Sequence, residues 1–185
     1  MTDPDMWNEN NTVENDQFPD YSRPILILGC GNILLGDDGF GPAVARALEK
    51  DHPVPGEAVV INAGTSVRKV LFTVAMGGTG VKRIFIVDSV NYDDGVHAPG
   101  EIFEIAIEDI PTAKLDDFSM HQIPSSNLLR EISDYRNINV RIFVCQVERI
   151  PDLVEPGLSR PVQEAVPGMC ERILEEVRTP VSGDR

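Results

Sequence analysis

Two adjacent aspartates, Asp37 and Asp38, lie in a glycine-rich turn, GCGNILLGDDGFGP, which spans residues 29–42 and directly follows an apolar run. A third carboxylate, Asp88, follows the apolar run RIFIV, and an imidazole, His121, lies farther along in the segment FSMHQ. One carboxylate from the turn, together with Asp88 and the imidazole, is a suitable ligand set for a borderline divalent metal such as nickel or zinc, with open positions left for a substrate.

Each of these side chains also has a purely structural interpretation. Asp37 or Asp38, near the start of a predicted helix, would complement the positive end of the helix dipole. Asp88 would be a capping or turn residue, although a carboxylate that is buried without a partner is costly. His121 precedes another predicted helix and would be a surface or capping residue. No local metal motif such as H-E-x-x-H is present to decide between these interpretations.

The glycine-rich turn does not fit a nucleotide site. The dinucleotide fingerprint G-x-G-x-x-G needs a third glycine, and Leu34 occupies that position. The next predicted strand ends at Asn62 instead of the acidic residue that binds a ribose. Asp37 and Asp38 would repel a pyrophosphate, and the phosphate loop G-x-x-x-x-G-K-S/T is absent. A cation is therefore the more suitable ligand for this turn.

Alternating strand and helix patterns must position these residues. Apolar runs and helical spacing predict, in chain order, strand 25–28, helix 41–51, strand 57–62, helix 67–76, strand 83–88, strand 101–106, helix 125–135, strand 139–147 and helix 160–177. This order predicts a three-layer α/β/α sandwich with a mainly parallel sheet, to which residues 101–106 add an extra edge strand. Ligands of such sheets bind beyond the carboxyl ends of the strands, so the loops there are where we expect chemistry.

The composition excludes several classes of function. The 185 residues, 42% of them hydrophobic, are enough for one domain with a sizeable core, and no apolar run approaches the ~20 residues that cross a membrane. A formal net charge of −14 opposes a nucleic-acid-binding surface. The three cysteines form no C-x-x-C pair, so neither a disulfide framework nor a zinc knuckle is indicated. The start of the chain lacks the charged-then-apolar order of a signal peptide, and we expect a cytoplasmic protein.

Three regions are predicted along the chain. Residues 1–22 contain six acidic residues and no lysine or arginine, which is typical of a disordered tail. Residues 23–178 form a single α/β domain, and residues 179–185 form a flexible C-terminus.

Four segments occur in this order: the stretch LGCGNILLGDDGFGPAVARAL, the strand IFIVDSV, the segment MHQ and the closing helix PGLSRPVQEAVPGMCERILEEV. Together they resemble the [NiFe]-hydrogenase maturation endopeptidases. The resemblance runs from residue 25 to about residue 177. It implies a twisted five-stranded sheet and an aspartyl-type endopeptidase that removes the C-terminal extension of a hydrogenase large-subunit precursor after nickel insertion.

The resemblance also implies the site residues. The family's nickel-recognising residues fall on Asp38, Asp88 and His121, and the nickel is supplied by the precursor. The nickel would report that loading is complete and position the scissile bond, with Asp38 or Asp88 as general base. Asp37 would support the ligands without itself binding the metal. The segment AGTSVRKVLFTV and the acidic tail suggest the branch that serves a deazaflavin-coenzyme-reducing hydrogenase.

Three other functions compete with this interpretation. A cysteine hydrolase would use Cys30, His121 and Asp88, because Cys30 ends the first strand. The turn at Gly29 also resembles the opening of peptidyl-tRNA hydrolases, but their basic groove conflicts with the acidic composition. A non-enzymatic, nickel-dependent assembly chaperone would use the same three ligands as the endopeptidase, and bond cleavage discriminates the two.

Overall fold

A computed structural model describes residues 20–77, 79–92, 95–107 and 126–179 of the chain. It contains a sheet of the strands β1 (Ile25–Cys30), β2 (Ala58–Gly64), β3 (Arg83–Val90), β4 (Ile102–Ile105) and β5 (Asn139–Gln146). The strand order is β2-β1-β3-β5-β4, with β4 antiparallel to β5 and all other pairs parallel. The predicted edge strand at 101–106 is confirmed, with four residues in the ladder.

Helices cover both faces of this sheet. They are α1 (Phe40–Asp51), α2 (Val67–Met76), α3 (Ser126–Arg136) and α4 (Arg160–Arg178). One apolar core lies between the sheet and α2 and α3, and the other lies between the sheet and α1 and α4. These three layers confirm the predicted α/β/α sandwich.

Strand β1 is a continuous apolar run because it supplies both cores. In β1, Leu26 and Leu28 belong to the core under α2 and α3, whereas Ile25 and Ile27 belong to the core under α1 and α4. Strand side chains alternate between the two faces, so a strand that is covered on both sides must be apolar at every position. A polar residue in such a strand is therefore informative.

The order of elements puts the start of α3 at the carboxyl edge of the sheet. Two residues separate α3 from β5, which runs parallel to β3. A helix that leads into a parallel strand runs back across the sheet, so its first residue lies beyond the carboxyl ends of the strands. The edge that carries Asp88 is thus also the edge where α3 begins.

Tyr21 and Thr179, just outside the predicted bounds 23–178, contact the described domain. The carbonyl of Tyr21 accepts a hydrogen bond from the Gly80 N–H, and its side chain packs against the core under α2 and α3. At the other end, the N–H of Thr179 bonds to the last turn of α4, and its carbonyl accepts a hydrogen bond from Arg83. The rest of the predicted tail, residues 1–19, and residues 180–185 lie outside the described residues.

No helix in the described part of the chain is both long and apolar enough to span a membrane.

Candidate active site

Strand β3 continues past Asp88, which corrects the prediction that the strand ends there. Strand β1 pairs with β3 only as far as Gly29 opposite Val87, whereas β5 pairs with β3 through Asp88 and on to Val90. The reason is that β1 turns into the glycine-rich loop while β5 continues. Asp88 therefore lies in a regular strand, with β5 on one side and the loop on the other.

Glycines bring the start of α1 directly onto the ends of β1 and β3. A Cβ atom at Gly41 would lie 2.2 Å from the Cys30 carbonyl oxygen and 2.3 Å from that of Val87. At Gly31, where φ is +127°, a Cβ atom would lie 1.9 Å from the Asp38 carbonyl oxygen. A side chain at either position would push the helix away from the sheet. The glycine-rich turn thus provides close packing, and a short 3₁₀ turn, Gly36–Gly39, presents the two aspartates.

Asp38 is held over the end of β1. Its side chain is buried, and its Oδ2 atom accepts a hydrogen bond of 2.7 Å from the Asn32 backbone N–H. Its Oδ1 atom accepts a hydrogen bond of 3.3 Å from the Ser89 hydroxyl. Because both oxygens are bonded, the plane of this carboxylate is fixed relative to β3.

Asp88 is buried beside Asp38, with 8% of its surface exposed. Its Oδ1 atom accepts a hydrogen bond of 2.8 Å from the Ser89 backbone N–H. Burial, followed by the negative charge of Asp38, raises the pKa of Asp88 from 3.8 to about 8, and the Ser89 N–H offsets part of this rise. At neutral pH Asp88 is therefore held as a carboxylic acid.

Asp37 faces away from this pair and joins the 3₁₀ turn to the loop after β5. Its carboxylate accepts hydrogen bonds from the backbone N–H groups of Glu148, Arg149 and Ser159, at 2.9, 3.2 and 2.6 Å, and from the Ser159 hydroxyl at 2.9 Å. Four donors on one buried carboxylate form a structural anchor. The sequence suggested a helix-dipole contact or support of the site for Asp37, and the structure instead shows hydrogen bonds to the loop after β5 and to Ser159.

Cys30 is a poor nucleophile in this environment. Its side chain is fully buried in the core under α2 and α3, and its Sγ atom lies 3.7 Å from the Leu28 carbonyl oxygen. Burial, together with the charges of Asp88 and Asp38, raises the pKa of the thiol well above its ordinary value. Nucleophilic catalysis needs the thiolate, so this geometry opposes the cysteine-hydrolase alternative.

His121 lies outside the described residues, five positions before the first residue of α3. Within the described ranges, no group of three or more His, Cys, Asp or Glu side chains is arranged to hold a metal ion. The structure thus brings together two of the three predicted site residues, Asp38 and Asp88, and leaves the place of the imidazole as a prediction.

Two serines with a part in this arrangement were missed from the sequence. Ser89 contacts both members of the carboxylate pair, and Ser159 holds Asp37. The signal for Ser89 was available, since a hydroxyl is unusual in a strand that is buried on both faces. Ser159 is 122 residues from Asp37 in the chain, and no local pattern links the two.

The protonated pair allows two kinds of chemistry. An ionised carboxylate beside a carboxylic acid provides a base and an acid at one place. A divalent cation that approached the pair would displace the proton, because metal ligands must be deprotonated. Both uses require a carboxylate geometry that is set in advance, and the hydrogen bonds to Asp38 and Asp88 supply it.

Comparison with known proteins identifies the family. Residues 42–176 match the family model described as hydrogenase maturation protease. The chain is 37% identical to a putative hydrogenase maturation protease of Methanocaldococcus jannaschii, over 84% of this chain and 97% of that protein. It is 36% identical to the coenzyme F420 hydrogenase subunit delta of Methanothermobacter thermautotrophicus, over 85% of this chain and 96% of that protein.

Solved structures share the fold. The hydrogenase maturating endopeptidase HybD from E. coli superposes with a TM-score of 0.63 at 26% identity, over 83% of this chain and 91% of that chain. The [NiFe] hydrogenase maturation protease HycI from Thermococcus kodakarensis superposes with a TM-score of 0.64 at 22% identity, over 85% of this chain and 94% of that chain. The family match, the curated relatives and the shared fold agree, and the chain belongs to the hydrogenase maturation protease family.

Proposed function

We propose that this protein is an endopeptidase that removes the C-terminal extension of a [NiFe]-hydrogenase large-subunit precursor after nickel insertion. The observation that carries the proposal is the buried pair of Asp38 and Asp88 at the carboxyl edge of the sheet, in a member of the maturation protease family. Two buried carboxylates that lie side by side are costly to ionise together, and such arrangements occur mainly at functional sites.

Asp38, Asp88 and His121 recognise the nickel, which arrives as part of the substrate. Two arguments support the imidazole as the third ligand. Strand alternation places the Asp88 side chain on the same face as Ile84 and Ile86, which belong to the core under α2 and α3. Helix α3 covers this face and begins at the carboxyl edge, five residues after His121. Two carboxylates and an imidazole suit nickel and leave positions open for the precursor.

Nickel in the precursor completes the site for hydrolysis. The bound metal polarises the scissile carbonyl or activates a water, while Asp38 or Asp88 accepts the proton of that water. The water oxygen bonds to the carbonyl carbon, the C–N bond breaks, and the proton passes to the leaving amine. A precursor without nickel leaves one proton on the carboxylate pair and does not position its peptide bond.

The relationship to the F420 hydrogenase delta subunit supports a narrower substrate. At 36% identity over almost the whole of that protein, the chain is similar to one named for a coenzyme F420 hydrogenase. We therefore propose that the precursor belongs to a deazaflavin-coenzyme-reducing hydrogenase. We also propose that processing takes place in the cytoplasm.

The test is the mass of a matched large-subunit precursor before and after incubation with the purified protein. The precursor is prepared with and without nickel, and both forms are analysed by intact-protein mass spectrometry. We expect a discrete loss of one C-terminal peptide from the nickel-loaded form alone. A stable nickel-dependent complex without any loss of mass would overturn the endopeptidase and favour an assembly chaperone.

A further inference from the structure

Ser89 contacts both carboxylates of the candidate active site with two different groups. Its backbone N–H donates to Asp88 Oδ1 at 2.8 Å, and its hydroxyl donates to Asp38 Oδ1 at 3.3 Å. Only 4% of the residue is exposed. Buried hydroxyls are almost always hydrogen-bonded, and here the partner is a carboxylate of the site.

The position of Ser89 is fixed by the sheet. It pairs with Cys145 in β5, inside the stretch of β3 that continues beyond the end of β1. Phe85 and Val87 belong to the core under α1 and α4, and strand alternation puts Ser89 on that same face. Its hydroxyl therefore lies beneath the turn that carries Asp38, whereas Asp88 faces the opposite side.

We infer that Ser89 is a positioning residue that sets the Asp38 carboxylate relative to Asp88. This inference rests on the proposed endopeptidase function and deepens it. The Asn32 N–H holds Asp38 Oδ2, and the Ser89 hydroxyl holds Oδ1, so the carboxylate is fixed at both oxygens. Ser89 is adjacent to Asp88 in β3, so the hydrogen bond from its hydroxyl fixes the Asp38 carboxylate relative to the strand that carries Asp88. Productive sites need such groups held to within about 0.5 Å.

The test compares three substitutions of Ser89 in the full-length protein. S89A removes the hydroxyl and keeps the backbone N–H that serves Asp88. S89C fills nearly the same space with a weak donor, and S89T keeps the hydroxyl. Initial rates of cleavage of the nickel-loaded precursor, at several precursor concentrations, give kcat and KM separately. S159A is the matched control, because it removes the serine hydroxyl that donates to Asp37, the aspartate outside the pair.

We expect S89A to lower kcat about 10- to 100-fold, the effect of one hydrogen bond to a charged group, and to change KM less than about twofold. S89T restores most of kcat, S89C does not, and S159A lowers Tm while keeping kcat. Wild-type rates in S89A, or full restoration by S89C, would overturn the positioning role while the endopeptidase stands. A wild-type protein that cleaves no precursor would overturn both proposals.

Discussion

Asp88→Asn removes a buried acid whose ionisation opposes folding, and it is expected to stabilise the protein at alkaline pH. The pKa of Asp88 rises from 3.8 to about 8 in the fold, so the folded state binds a proton more tightly than the unfolded state between these two values. The free energy of unfolding of the wild type therefore falls as pH rises from about 4 to about 8. The stabilisation that comes from holding the proton on Asp88 in the fold is fully present below about pH 4 and is lost above about pH 8.

The size of the effect follows from the same two values. Each pH unit between them changes the free energy of unfolding by about 1.4 kcal/mol. Between pH 5 and pH 8, the advantage of Asp88→Asn over the wild type grows by about 4 kcal/mol if the site stays rigid. Relaxation of side chains and water around the buried charge lowers this figure, so we expect a difference of about 2–4 kcal/mol. Any constant effect of the amide on packing cancels in the comparison between the two pH values.

Urea unfolding followed by far-UV circular dichroism measures this difference, at several pH values from 5 to 8.5. Asp134→Asn is the control, because Asp134 is exposed on α3 and its variant is expected to run parallel to the wild type. A constant difference between Asp88→Asn and the wild type across this range would refute the buried, proton-holding carboxylate. A variant that loses stability relative to the wild type as pH rises would refute it as well.

Three further predictions follow from the anchor, the glycines and the buried thiol. Asp37→Asn removes one acceptor oxygen from a side chain that accepts from four donors. Urea unfolding at pH 7 is expected to show a free energy of unfolding lower by about 2–4 kcal/mol. A change below about 0.5 kcal/mol would contradict the role of Asp37 as an anchor. Gly41→Ala places a Cβ atom 2.2 Å from the Cys30 carbonyl oxygen and is expected to lower Tm by at least about 8 °C. Gly56→Ala is the control, because its Cβ atom would lie 3.6 Å from its nearest neighbour and should leave Tm unchanged. Equal Tm values for the two variants would count against the close packing of α1. Cys30 is expected to resist iodoacetamide in the folded protein at pH 8, and Cys30→Ala to keep cleaving the precursor; rapid labelling with loss of activity would revive the cysteine hydrolase.

The layers and most of the elements could be predicted because the signals are local. Continuous apolar runs mark strands covered on both faces, and the helix predicted over residues 67–76 has the bounds of α2. The end of β3 was wrong by two residues, since polar Asp88 and Ser89 look like the end of a strand. Their strand conformation depends on pairing with β5, about 55 residues away, which no local pattern reports.

The candidate site was predicted in part, for a related reason. The position of Asp38 and Asp88 at the carboxyl edge of the parallel sheet follows from topology, which the order of elements provides. The different roles of Asp37 and Asp38 do not follow, because adjacent residues in a 3₁₀ turn point in different directions. Only the fold shows that Asp37 meets the loop after β5 while Asp38 meets Ser89.

The most direct test of the central claim is cleavage of the nickel-loaded precursor by Asp38→Asn. The amide keeps the shape of the side chain, and thermal unfolding establishes that the variant is folded. Mass spectrometry then follows the loss of the C-terminal peptide over time, beside the wild type. We predict that the wild type processes the precursor and that folded Asp38→Asn leaves it intact. Processing at the wild-type rate by Asp38→Asn would contradict the carboxylate pair as the site of nickel recognition and cleavage.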